Sequence, residues 1–171
     1  MGLLEAVKAE VRLWVHEVLS VPDGYFAGMA PCPYARSAVL KNLVTIEVVD
    51  SHERATEHKL EFDPASQAVI VICFMDVHKV TPEGLQDYLN EQNKQHHGVW
   101  MMGFHSLGDD HPIETEIESS VGDYGVILVQ SLDHLTQASD QLSKTEYYTN
   151  FSDADLSYIS ARKEQANDGY A

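Results

Sequence analysis

Residues 68–76 read Ala-Val-Ile-Val-Ile-Cys-Phe-Met-Asp, an apolar run in which only the last residue carries a charge. β-branched residues dominate its first half, and an unbroken apolar stretch of this length suits a strand buried on both faces, since a half-exposed strand alternates. The run is therefore predicted to be a central strand, and the rest of the chain is read outward from it. On its C-terminal side Thr81-Pro82-Glu83 opens a polar, amphipathic segment reaching about residue 97, and residues 99–105 form a second apolar run. Strand, crossover helix and strand in that order make a parallel unit, right-handed by the rule for such crossovers. Residues 106–123 form a long acidic connection with glycines at both ends, and residues 124–131 supply a further strand. Asp133 can cap a helix to about residue 144, with Leu135, Ala138 and Leu142 on its inner face. Ser152 or Asp153 caps a final helix that turns Leu156 and Ile159 inward.

On the N-terminal side of the run, residues 43–49 read as a strand, and residues 51–67 are polar, with 59–62 as a short strand. Leu3, Leu4, Val7, Val11, Trp14, Val15 and Val18 recur at three- and four-residue spacings, which predicts an amphipathic helix over residues 3–19. Residues 20–33 contain two glycines and three prolines and form a loop with aromatic content. Pro33 then occupies the first turn of a short helix over 34–41. From residue 68 the order strand, helix, strand, strand, helix is most of a ferredoxin-like split unit. The expected architecture is a single α+β domain over residues 1–171: a ferredoxin-like sandwich with a mixed sheet of four to five strands, an N-terminal helix and two C-terminal helices. The alternative is a small three-layer α/β domain with helices on both faces of the sheet.

Composition narrows the class of function. The chain has 171 residues, 44% of them hydrophobic, enough for one domain with a sizeable core. Lys and Arg number 11 against 27 Asp and Glu, a formal charge of -16. That balance excludes binding to nucleic-acid phosphates or to an anionic membrane, both of which need positive charge, and favours a basic protein partner or a metal cation. The N-terminus lacks the basic opening and small-residue cleavage site of a signal peptide, and no apolar run approaches the ~20 residues of a membrane helix. Two cysteines, Cys32 and Cys73, are too few for a disulfide framework. A soluble, cytoplasmic protein is expected.

Three segments carry chemistry. In Cys32-Pro33-Tyr34-Ala35-Arg36 a cysteine precedes a helix start, where the helix dipole lowers a thiol pKa. The segment resembles the active-site motif of glutaredoxins, Cys-Pro-Tyr-Cys, with Ala35 in place of the second cysteine; the resemblance implies thiol-dependent redox chemistry with Cys32 as nucleophile. The same segment, together with Gly103-Phe104-His105 ahead of Asp109-Asp110 and with Lys144-Thr145-Glu146-Tyr147-Tyr148, is similar to a family of uncharacterised bacterial and phage proteins. That likeness implies no activity, only that the three segments belong to one domain.

The remaining candidates follow from topology. Asp76 and His78 follow one parallel strand, while His105, Asp109, Asp110 and His111 follow the next, so both sets lie at the same edge of the sheet. Ligands of α/β sheets bind at the carboxyl ends of strands. Asp76, His78, His105 and His111 are accordingly the candidate ligands of a divalent metal, for which iron, zinc or manganese suits a His and Asp donor set; His105, ending an apolar strand, is also a candidate catalytic residue. No phosphate-binding Gly-rich loop, Gly-x-Ser-x-Gly elbow or His-Glu-x-x-His helix is present. Three functions are therefore expected in order: a small acidic accessory or interaction protein with a basic partner, a metal-dependent enzyme with a site at the strand ends, and a thiol-dependent redox protein using Cys32.

Overall fold

A computed structural model describes residues 2–107 and 124–168. The run that organises the sequence forms β2 (Val69–Phe74), an inner strand of a four-stranded sheet. With β1 (Val44–Val49), β3 (Val99–Phe104) and β4 (Gly125–Ser131) the order across the sheet is β1-β2-β4-β3. β1 runs parallel to β2, and β4 is antiparallel to both β2 and β3. Five consecutive residues of β2, from Ile70 to Phe74, are no more than 3% exposed, as a strand covered on both faces requires.

The cover comes from helices on each side. α4 (Pro82–Gln95) joins β2 to β3; the Thr81 hydroxyl accepts from the Gly84 amide at 3.0 Å, and Pro82 fills the first turn. Its Leu85 and Leu89 pack with Ile70, Ile72 and Phe74 of β2, Met101 and Ile127. Gly103 admits this approach, because a Cβ there would lie 2.5 Å from Leu89 Cδ1. The opposite face carries Val7, Val11 and Trp14 of α1 (Leu3–Trp14), which continues as a π-helical turn to Leu19, and Ala35 of α2 (Ala35–Leu40). After β4 the chain turns into α5 (Leu132–Leu142) and then α6 (Asp153–Asp168), whose Ala166 joins Trp100 and Leu132 in a third apolar group.

The α+β class, the mixed four-stranded sheet, the N-terminal helix and the split strand-helix-strand-strand unit all stand as expected. Two features depart from a plain ferredoxin-like sandwich. Both faces of the sheet are covered, the arrangement of the three-layer alternative. Among the described residues no strand follows α5, and the fourth strand is instead β1, contributed from before the unit and parallel to β2. The short strand expected at 59–62 is replaced by α3 (Ala55–Leu60). The alternation Lys59-Leu60-Glu61-Phe62 mimics a strand, but Ala55 and Lys59, four apart, both turn inward.

Lys59 is only 2% exposed, and its ammonium donates to the Gln92 carbonyl of α4 at 2.9 Å. That carbonyl is one of the last four of the helix, which lack intrahelical partners, so a cation there also complements the helix dipole. Burial lowers the Lys59 pKa to about 8. Between pH 8 and the ordinary lysine value the unfolded chain therefore holds a proton that the folded chain has released, and this group makes the fold more stable as pH rises. Lys59→Met is expected to remove that rise, about 2 to 3 kcal/mol. Urea unfolding of both proteins at pH 7.5 and pH 10 checks it; parallel pH profiles contradict it.

Candidate functional site

β1, β2 and β3 present their carboxyl ends at one edge of the sheet, because β4 alone runs the other way. There β2 leads into a 3-10 turn, Val77–Lys79. The Asp76 amide donates to the Asp50 carbonyl at 3.0 Å, tying the ends of β1 and β2 together. The Asp76 side chain is 17% exposed; its Oδ2 lies 3.8 Å from Lys79 Nζ, and its buried Oδ1 has no hydrogen-bond partner among the described residues. His78, in contrast, is exposed to solvent.

His105 is buried directly after β3. Its Nε2 lies 3.0 Å from the Val77 carbonyl and 2.8 Å from the Val80 carbonyl, and its Nδ1 accepts from the Leu107 amide at 3.0 Å. Two carbonyls at one nitrogen and an amide at the other select the Nε2–H tautomer. Both nitrogens are thereby used, and the ring clamps the turn after β2 to the end of β3. Replacing His105 by Ala leaves two carbonyls and an amide without this partner, and is expected to lower stability by about 2 kcal/mol. A urea midpoint unchanged from the parent contradicts the clamp.

Sequence reasoning missed His52. It follows β1 at the same edge, is 9% exposed, and stands edge-on to Tyr88 at 4.9 Å and Phe74 at 5.9 Å between ring centroids. Its buried Nδ1 lies 3.4 Å from Glu53 Oε2 without a hydrogen bond. The Glu53 carboxyl is held below the usual carboxylate range by its own backbone amide and the Ser51 hydroxyl, with His52 and Lys79 adding to the effect. The signal that could have exposed His52 is its place just beyond an apolar strand, the argument that picked out His105.

Among the described residues, the expected metal ligands Asp76, His78 and His105 do not form a group that could hold a metal ion. Asp76 and His105 lie at the shared edge, His105 with both nitrogens engaged and His78 turned to solvent. His111, with Asp109 and Asp110, lies outside the described residues. Among the described residues no three His, Cys, Asp or Glu side chains are placed to hold a metal ion.

Cys32 lies far from this edge, on the α1 side of the sheet. α2 begins at Ala35, three residues later, and the backbone amides of Tyr34 and Ala35 do favour the thiolate. Burial outweighs them and pushes the thiol pKa up, which corrects the expectation that the helix start lowers it. Cys32 packs against the α1-side core; next to it the Tyr147 hydroxyl donates to the Pro31 carbonyl, and Phe26, Tyr147 and Phe151 pack ring against ring. Cys32 forms part of the wall of a cavity of about 90 Å³ shared with Trp14, Ala35, Val69, Leu128 and Gln130, and no charged side chain lines it. Cys73, in mid-strand, is fully buried, and its thiol is pushed up to about 12 by burial, with Glu10 contributing.

No protein-family model, curated protein or solved structure matches this chain. No helix among the described residues is long and apolar enough to cross a membrane.

Proposed function

We propose that the protein is a non-enzymatic accessory protein that works by engaging a partner with a basic surface. The observation that carries this reading is the disposition of charge. Of 11 cationic side chains set against 27 acidic ones, Lys59 and Arg162 are buried. Arg54, Lys79, Lys94 and Lys163 are each within 4.0 Å of a carboxylate on the protein itself. Such surface pairs add little stability, but they neutralise four of the nine cations that are not buried, and the excess of acidic side chains leaves the field around the protein strongly negative. The polar groups with catalytic potential are meanwhile turned inward, His105 to backbone and Cys32 to an apolar wall.

The test is to capture partners with the protein as bait and then reconstitute each one in pure form. The reading predicts a partner with a basic face, whose affinity falls steeply as salt is raised. Reconstituted partners that bind equally at low and high salt overturn it.

A further inference from the structure

The two edges of the sheet are finished differently. At the β3 edge, Asn93 of α4 takes the place of a neighbouring strand: its Nδ2 donates to the Met101 carbonyl at 2.9 Å, and its Oδ1 accepts from the Met101 amide at 2.8 Å. At the opposite edge nothing among the described residues pairs with β1 on its outer side. The carbonyls of Leu43 and Val49 accept from β2. The amide and carbonyl of one strand residue in a parallel ladder point the same way, so Val44, Ile46 and Val48 turn theirs outward. Of the devices that blunt an edge, β1 lacks proline, lysine and a bulge, its register with β2 being continuous from Val44 to Val49, and it carries a single charged residue, Glu47.

We propose that the outer edge of β1 is the docking site of the basic partner, which adds a strand to the sheet with side chains alternating between cationic and apolar. The proposal rests on the basic-partner reading above and supplies its surface. The alternation follows from the two faces of β1. Glu47, the one charged residue of the strand, shares a face with Thr45, and a Lys or Arg beside it gains a cross-strand ion pair. On the other face Val44 and Val48 are half-buried at the rim of the α1-side core, where an apolar side chain extends the packing. A second copy of this chain is disfavoured as the occupant, since two bodies of charge -16 repel on approach. Main-chain hydrogen bonds supply affinity in such strand addition, and the alternate side chains supply selectivity.

The experiment titrates the full chain with a blocked peptide alternating lysine and valine, and with a lysine-proline peptide of equal charge that cannot form a strand. Amide hydrogen exchange is read at Val44, Ile46 and Val48. The lysine-valine peptide is expected to protect these three amides, and the lysine-proline peptide is not. Val48→Pro removes one outward donor without touching the β1–β2 ladder, and Glu47→Lys reverses the charge; each is expected to weaken binding about tenfold while the fold is retained. If the lysine-valine peptide binds but leaves those amides unprotected, and both variants bind as the parent does, the edge assignment falls while the basic-partner reading stands. If neither cationic peptide binds at low salt, both fall.

Discussion

Ile72→Asp is expected to abolish folding. Ile72 is fully buried at the middle of β2, in an apolar cluster with Phe74, Leu85, Leu89 and Ile127, and the buried Lys59 is already engaged by the Gln92 carbonyl. A carboxylate placed there is neither paired nor solvated, so it must be buried protonated or drag water into the core, at a cost of several kcal/mol. Loss of the isoleucine packing adds about 2 to 4 kcal/mol more. The sum approaches or exceeds the roughly 5 to 15 kcal/mol that holds an ordinary domain together. Ile70→Asp, on the same face of the strand, is expected to behave alike. Circular dichroism and size-exclusion chromatography decide the matter, and a soluble variant with a cooperative unfolding transition contradicts the central placement of β2.

The second large effect is expected at Asn93. Its side-chain amide, 2% exposed, meets both the amide and the carbonyl of Met101, as a strand would. Asn93→Leu keeps a similar volume but leaves two buried backbone groups without partners, at about 1 to 3 kcal/mol each. A loss of about 2 to 5 kcal/mol is expected, together with self-association through the freed β3 edge. Urea denaturation and analytical ultracentrifugation check the two parts. A monomer as stable as the parent would show that water serves Met101 equally well.

What the sequence disclosed depended on whether a contact leaves a pattern along the chain. β2, α4, β3 and β4 were legible because burial on both faces demands an unbroken apolar run and because Thr81-Pro82 marks a helix start. α3 was not, since the inward turn of Lys59 depends on a carbonyl of α4 that no local pattern announces. At the strand ends, His105 stood out as a polar ring closing an apolar strand, yet its partners are the carbonyls of Val77 and Val80, and backbone groups have no signature in side-chain identity. Asn93 was invisible for the same reason. His52 was passed over because residues 51–67 read as a polar connection. For Cys32 the helix start was visible, but the burial that overrides it comes with the α1-side core, whose Trp14 and Val71 lie far along the chain on either side.

The proposed action through a charged surface leaves no role for a metal held at the strand ends. Its most direct test is elemental analysis of the protein purified without chelators, alongside His105→Ala. Iron, zinc and manganese are expected at well under one equivalent in both proteins; one equivalent of any of them in the parent, lost on removal of His105, overturns the proposed function.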